Sequence, residues 1–286
     1  NTIEGSMVYE SMRAIDYMLT RPDVDPARIG ITGASGGGEN SFYASAADTR
    51  IAVSVPVVFM NDYVTWVREG GQHCICNHLP GIFQYADEFT IASLIAPRPL
   101  LQINGMLDAI FPLKGAEYTS KIMKKIYTSA GAEGRVDFFV SPAPHGYDQN
   151  MRETMYAWMV RWLEGGKAVK KISEPAHTVL DFNDSRLKAF KDDSFMKNSL
   201  TLIGLAERFA NETPRKQYPR ATKAALEKSD KSVRSEIMPV FGGFPEKSAL
   251  AAESRGTAEK DGVSFEKVLF FSEKGVPVPA LFAKGK

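Results

Sequence analysis

The sequence predicts an α/β fold in which a mostly parallel sheet has helices on both faces. Over residues 1–165, short apolar runs that suit buried strands alternate with longer segments of helical periodicity. Such alternation is typical of βαβ units with parallel strands. After one of these runs comes the pentapeptide Gly-Ala-Ser-Gly-Gly at 33–37, where glycines permit a sharp turn from a strand into a helix.

Composition sets outer limits on size and partners. The 286 residues are 44% hydrophobic with a formal net charge of +1, which permits one large domain or two small ones. The charge balance argues against a nucleic-acid or anionic-membrane partner, and no apolar run approaches the ~20 residues that cross a bilayer. The sequence starts with neither Met nor a signal-sequence pattern, so we expect a processed or truncated N-terminus.

Each predicted element follows from its local pattern. The run at 51–59 is almost continuously apolar, as expected for a parallel strand covered on both faces. The strands are expected at 29–32, 51–59, 100–104 and 136–140. The helices are expected at 3–20, 37–47, 86–95, 113–130 and 150–164, with an irregular segment over 60–85.

The pattern changes after Gly166. Residues 166–260 are charged, with helical spacing over 186–210 and 220–237 and no buried strand, which indicates a linker with a small helical segment. Residues 261–286 are expected to form a C-terminal β-hairpin. The predicted organisation is therefore a main portion over 1–165, a helical linker and a hairpin.

Three residues fit a nucleophilic catalytic triad. Ser35 occupies the turn of the G-x-S-x-G pattern, the nucleophile elbow, ahead of a helix N-terminus that can stabilise negative charge. Asp108 follows the strand at 100–104, and His145 follows the next strand. Because the carboxyl ends of parallel strands share one edge, all three side chains are expected to meet there, in the order nucleophile, acid, histidine.

Other interpretations of these positions stay open. His145 alone could be a satisfied loop histidine, although the prolines and glycine around it favour a shaped turn. Asp87 and Glu88 are rival acids that resemble helix first-turn charges. Asp62, after the second strand, is a further rival for the acid position.

The oxyanion site is only half accounted for. The backbone N–H of Gly36 is expected to be one donor, and the second should come from a loop after an earlier strand. However, a single helix precedes the elbow strand in this sequence.

The loop over 70–78 contains two cysteines and two histidines, the ligand types that zinc prefers. Their adjacent and alternate spacing can scarcely surround one tetrahedral ion, so a wall of the site is the preferred interpretation, with no metal and no cofactor. Cys74 and Cys76 lie too close in sequence for an ordinary disulfide. Trp66, His73 and Phe83 are the candidate substrate-binding residues, although the favoured interpretation of Trp66 and Phe83 is that they belong to the core. His177 is expected to be a surface residue.

Residues 4–164 resemble the acetylxylan-esterase-like branch of the α/β-hydrolases, which is related to dienelactone hydrolases. The similar segments are 13–30, the Gly-Ala-Ser-Gly-Gly-Gly elbow, Ala-Pro-Arg-Pro-Leu-Leu at 96–101, His-Gly-Tyr at 145–147 and 153–158. The resemblance implies an α/β-hydrolase fold, a cofactor-free serine esterase acting on carbohydrate or small esters, and often export to an extracellular or periplasmic location. It assigns Ser35 as nucleophile, Asp108 as acid and His145 as base.

The chain departs from that family in one respect. Members have several strands before the elbow, whereas here a C-terminal hairpin resembles the first two strands of such a unit. An unpaired elbow strand would be an exposed edge, which natural proteins avoid. We therefore expect either a longer chain or another chain or subunit that completes the sheet.

Two classes of function follow. The leading hypothesis is a serine esterase that removes acetyl or similar groups from carbohydrate or small esters. A peptidase or lactone hydrolase would use the same triad with a different pocket. The hypothesis from another class is a non-catalytic half-unit that serves as a scaffold or interaction module.

Overall fold

The protein, described by a computed structural model, is defined over residues 2–70, 73, 75–166, 168, 170–176, 178–190, 197, 199–214, 222–241 and 245–284. It divides into two compact units, Asn1–Asp181 and Phe182–Lys286. Within these described ranges, every helix is too short or too polar to traverse a lipid bilayer.

The first unit contains a four-stranded parallel sheet of order β1-β2-β3-β4. The strands are β1 (Ile29–Ala34), β2 (Ile51–Val57), β3 (Leu100–Gly105) and β4 (Val136–Ser141). The helices are α1 (Ile3–Met18), α2 (Gly36–Ala47), α3 (Tyr63–Glu69), α4 (Glu88–Ala92), α5 (Leu113–Ser129) and α6 (Gln149–Leu163). The predicted parallel α/β architecture is confirmed.

The two central strands are buried on both faces. All six residues of β3 and six of the seven in β2 are buried, which explains their almost continuous apolar sequence. On one side of the sheet, Phe42 of α2 and Met123 of α5 belong to the same core cluster. On the other side, Trp158 of α6 packs with valines of β2.

Arg98 links the end of α2 to the sheet. Its guanidinium donates hydrogen bonds to the carbonyl oxygens of Ser45, Asp48 and Ile51, at 2.6, 3.1 and 2.7 Å. Because the last carbonyls of a helix have no partner within the helix, these bonds stabilise the end of α2. The Ala-Pro-Arg-Pro segment therefore has a structural role beside the sheet.

The segment over 60–85 is more regular than the sequence pattern predicts. The prediction of an irregular stretch is wrong at α3, which begins after Asp62, whose side chain accepts a hydrogen bond from the Thr65 N–H. Tyr63 and Trp66, three residues apart, are both buried. Two buried positions in seven residues are too few for a periodicity test, so packing rather than pattern defines this helix.

The second unit contains an antiparallel sheet of order β5-β6-β7, formed by β5 (Glu253–Lys260), β6 (Val263–Glu273) and β7 (Val276–Lys284). The predicted hairpin is β6 with β7. The pattern does not predict β5, because its residues are all exposed and mostly polar. The α-helices of the described part of this unit are α7 (Leu202–Glu212) and α8 (Lys223–Ile237). The first begins later than the predicted 186–210, of which residues 191–196 and 198 lie outside the described residues.

Candidate active site

Ser35 lies on a tight turn between β1 and α2. Its backbone has φ 58° and ψ −120°, a region that non-glycine residues rarely occupy. The Ser35 N–H donates to the carbonyl of Val57 at 3.0 Å, and the Ser35 carbonyl accepts from Glu39 N–H at 2.8 Å. The turn is thus held by the neighbouring strand on one side and by the first helical turn on the other.

The glycines around Ser35 permit close backbone contacts. A Cβ at Gly33 would lie 2.4 Å from the carbonyl oxygen of Gly37, and one at Gly38 would lie 2.4 Å from that of Val57. Both distances are well inside van der Waals contact with backbone atoms that cannot move away. The unusual backbone conformation of Ser35 is therefore possible because the strand and the helix approach each other with no side chains between them.

Asp108 and His145 form a hydrogen-bonded pair. The His145 Nδ1 and Asp108 Oδ2 atoms are 2.9 Å apart, and the Asp108 carboxylate is completely buried. The other carboxylate oxygen, Oδ1, accepts hydrogen bonds from the backbone N–H groups of Ile110 and Phe111. Because both of its oxygens accept hydrogen bonds, the Asp108 carboxylate has a fixed orientation. A carboxylate has no proton to donate, so Nδ1 of His145 is the donor.

The loops after β3 and β4 are joined by backbone hydrogen bonds. Met106 N–H donates to the carbonyl of Ser141 at 2.8 Å, and Leu107 N–H donates to that of Ala143 at 3.0 Å. At Gly105, an added Cβ would lie 2.6 Å from the Ala143 carbonyl oxygen. This close approach brings the acid and the histidine, which are 37 positions apart, to the same edge of the sheet.

Phe111 and Tyr147 hold the histidine loop in place. The Phe111 ring stacks against the imidazole of His145, with centroids 5.8 Å apart and an interplanar angle of 25°. The Tyr147 hydroxyl lies 2.9 Å from Oγ1 of Thr32, on the elbow strand. The His145 loop is therefore bound both to the loop that contains Asp108 and to β1, the strand that precedes Ser35.

The Ser35 hydroxyl differs from the Asp108–His145 pair in its hydrogen bonding. Among the described residues, Ser35 Oγ makes no hydrogen bond, to His145 or to any other group. Catalytic hydrogen bonds are often long in the absence of substrate and shorten in the reacting complex. The N–H of Gly36, the first residue of α2, has no acceptor within the helix.

The rival acids have other partners. Asp62 is the N-cap of α3, and Asp87 is the N-cap of α4, accepting from the Glu88 N–H. The predicted position of Asp87 and Glu88 at a helix start is confirmed. Glu88 is buried, however, and burial raises the pKa of its carboxyl group well above the usual 4.5. None of the three is recorded in a hydrogen bond with a histidine in the described part of the chain, whereas Asp108 is.

The candidate substrate-binding residues have different surroundings. Trp66 is 5% exposed, in the core, and its indole N–H donates to His73 Nδ1 at 2.6 Å. Burial lowers the pKa of His73, so the ring is neutral near pH 7 with its proton on Nε2. Phe83 is 64% exposed. Trp66 and His73 both contact the ring of Phe111, which places them one layer behind His145.

The cysteine loop differs from the expectation. Cys76 is disulfide-bonded, so the prediction that these cysteines form no ordinary bridge is wrong for Cys76, and its thiolate is not available to a metal. The prediction was based on sequence separation alone, which does not determine the backbone path between two sulfur atoms. Cys74 and His177 lie outside the described residues, and no cluster of metal-ligating groups occurs within them.

Comparisons with known proteins agree with this architecture. No family model matches the chain. Over 161 residues it is 31% identical to the Bacillus subtilis (strain 168) protein named "Putative hydrolase YtaP", covering 56% of this chain and 54% of that protein. The chain therefore spans about half the length of the curated relative that it matches.

The chain is similar to two solved esterase structures. The methylesterase BT1017 has a TM-score of 0.51 and 21% identity, over 78% of this chain and 47% of its own. A carbohydrate esterase family 15 glucuronoyl esterase from Caldicellulosiruptor kristjansonii has a TM-score of 0.49 and 18% identity, over 62% and 55%. With the sheet order and the elbow geometry, the likeness to BT1017 confirms the α/β-hydrolase fold predicted from the sequence.

Proposed function

We propose that this chain is a serine-dependent carboxylic ester hydrolase that removes acetyl groups from carbohydrate or small esters through an acyl-enzyme. The observation that carries the proposal is the 2.9 Å hydrogen bond between His145 and the buried Asp108. This pair and the strained Ser35 turn both lie at the end of the sheet where the parallel strands have their carboxyl ends. The name of the relative, "Putative hydrolase YtaP", is in keeping with this chemistry.

The proposed reaction has two steps. His145 removes the proton from Ser35 Oγ as that oxygen attacks the ester carbonyl, and then gives the proton to the departing alcohol. The carboxylate of Asp108 stabilises the imidazolium that forms in between. A water molecule, activated by the same imidazole, then attacks the acyl-enzyme and releases the carboxylic acid and free serine.

The negative charge that develops on the ester carbonyl oxygen is normally stabilised by two hydrogen-bond donors. The N–H of Gly36 at the start of α2 is one candidate. In the described sheet, β1 is an edge strand that pairs only with β2. We propose that a strand from another segment or subunit pairs with the free side of β1 and that its loop supplies the second donor, which also removes an exposed edge.

The alcohol part of the substrate is proposed from the aromatic side chain of Phe83. Phe83 is exposed and packs edge-on against Tyr63, at 4.9 Å between ring centroids, so it offers an aromatic face on which a sugar ring could stack. Trp66 and His73 would support this wall from behind. The acetyl preference rests on the resemblance of the elbow and histidine motifs to acetylxylan-esterase-like enzymes.

Two alternative functions are compatible with the same residues. A peptidase or lactone hydrolase would use the same triad and differ only in the pocket. A non-catalytic half-unit would retain the fold for interaction, and the single oxyanion donor favours it. Losing one such donor costs about 10²–10³ in rate, however, which weakens an enzyme without abolishing its activity.

A substrate panel tests the proposal. We expect hydrolysis of p-nitrophenyl acetate and of acetylated sugars to exceed that of p-nitrophenyl decanoate, a peptide p-nitroanilide and a small lactone by at least about tenfold in kcat/KM, since a pocket for a small acyl group excludes larger ones. Faster turnover of the anilide or lactone would select the alternative chemistry. No turnover of any of them would favour the scaffold.

A further inference from the structure

Glu39 has an unusual position for a charged side chain. It lies in the first turn of α2, four residues after Ser35, and its N–H donates to the Ser35 carbonyl at 2.8 Å. Its side chain is fully buried. Burying a carboxylate without a cation is costly, so this residue requires a physical explanation.

The partners of Glu39 come from two other segments. Its Oε2 accepts a hydrogen bond from the side-chain amide of Asn77, next to the disulfide-bonded Cys76. On its other side lies the carboxyl group of Glu4, from the first turn of α1, which is itself only 2% exposed. Thus two carboxyl groups and one amide connect α1 and the Asn77 loop to the beginning of α2.

The two carboxyl groups need a proton between them. Neither oxygen of Glu4 nor Oε1 of Glu39 has a hydrogen-bond partner of normal geometry in the described part of the chain, and no described cation acts on either group. Two adjacent buried carboxylates would repel each other, whereas a protonated one can donate to its neighbour.

The electrostatics of the site agree with a shared proton. Burial raises the pKa of Glu4 to about 7, and burial with the adjacent Glu4 charge raises that of Glu39 to about 8. Among the described residues, the other titratable groups that interact with Glu39 are Tyr43, Tyr63 and Glu88. Burial raises the pKa of each of them as well, which favours the uncharged form of all three.

We propose that Glu39 is a positioning residue whose carboxyl group must be protonated for Ser35 to react, with Glu4 sharing the proton and Asn77 fixing the orientation. The inference rests on the proposed esterase function. A neutral Glu39 leaves the positive end of α2 available to the oxyanion beside Gly36. An ionised Glu39 would place a second buried charge beside Glu4, push α1 away from α2 and oppose the negative charge that develops at the carbonyl oxygen.

The test compares Glu39→Gln with the native chain and with Glu10→Gln, which changes an exposed glutamate on the same helix as Glu4. Between pH 7 and 9, kcat/KM of the native chain and of Glu10→Gln should fall about tenfold, following an ionisation near 8. Glutamine keeps the shape and the acceptor but cannot ionise. Glu39→Gln should therefore retain its rate at pH 7 within about threefold and change less than about twofold up to pH 9.

Stability supplies a second readout that requires no activity. Both carboxyl groups have folded-state pKa values above the usual 4.5, so the folded protein binds more protons than the unfolded chain at neutral pH. Their contribution to the free energy of unfolding is then fully present below about pH 4.5 and is lost as the pH rises through 7 to 8. Urea unfolding at pH 5.5 and 8.5 should show a smaller difference for Glu39→Gln than for the native chain.

The outcomes separate the inference from the function on which it rests. An unchanged alkaline decrease in an active Glu39→Gln variant would overturn the inference and leave the esterase function standing. If the native chain hydrolyses no ester, the proposed function fails. In that case the unfolding comparison alone decides whether the proton is shared, and identical pH dependence in both proteins would contradict it.

Discussion

Ser35→Ala is expected to lower kcat for p-nitrophenyl acetate by about 10⁴- to 10⁶-fold, because the acyl-enzyme can no longer form. The variant should still fold. The hydroxyl makes no hydrogen bond among the described residues, so its removal leaves no buried partner unsatisfied. Alanine does have to adopt the φ 58° backbone of the turn, so a small loss of stability is expected.

The matched control is Ser93→Ala, which removes an exposed hydroxyl that donates to a carbonyl within its own turn. Its rate should equal that of the native chain within about twofold. Thermal unfolding of both variants separates loss of chemistry from loss of structure. Turnover in Ser35→Ala above about one per cent of the native rate would show that another group, or water alone, attacks the ester.

Asp108→Asn is expected to lower kcat by about 10⁴-fold through the wrong histidine tautomer. The new side chain can keep its oxygen toward the N–H groups of Ile110 and Phe111, which now bond to Oδ1. Its amide NH₂ then faces His145 Nδ1, where the carboxylate oxygen was. Because the amide NH₂ is a donor, Nδ1 of His145 must then be the acceptor. The imidazole proton therefore lies on Nε2, the nitrogen that has to be unprotonated to act as the base.

Asp62→Asn is the control for this second variant, since Asp62 is the rival acid after β2. Asparagine is as good an N-cap as aspartate, so the bond to the Thr65 N–H is retained. Its kcat should remain within about threefold of the native value. Comparable loss in the two variants, with unfolding curves unchanged, would show that Asp108 has no special role.

The centre of the sheet was predictable because its two middle strands are buried on both faces. β2 and β3 need apolar residues at almost every position, and such runs stand out in any sequence. By contrast, α3 is defined by the packing of two aromatic rings and by an N-cap, and β5 by backbone pairing of exposed residues. Periodicity contains no signal for either, because neither element has a continuous apolar face.

The candidate site was predictable to the extent that topology determines it. Asp108 and His145 end adjacent parallel strands, so the pairing of β3 with β4 brings them together. The contacts of Phe111 and the buried pair of Glu4 with Glu39 depend on tertiary packing between distant segments. A glutamate four residues after an elbow serine looks like an ordinary first-turn helix charge, and only its burial reveals otherwise.

The central claim is that Ser35 is a nucleophile activated by His145. Labelling with a fluorophosphonate tests it directly, since the reagent phosphonylates activated serines and spares ordinary ones. Intact-mass analysis should show one adduct per active chain, peptide mapping should place it on Ser35, and Asp108→Asn should react far more slowly. A native chain that stays unlabelled, or an adduct on another residue, would contradict the account.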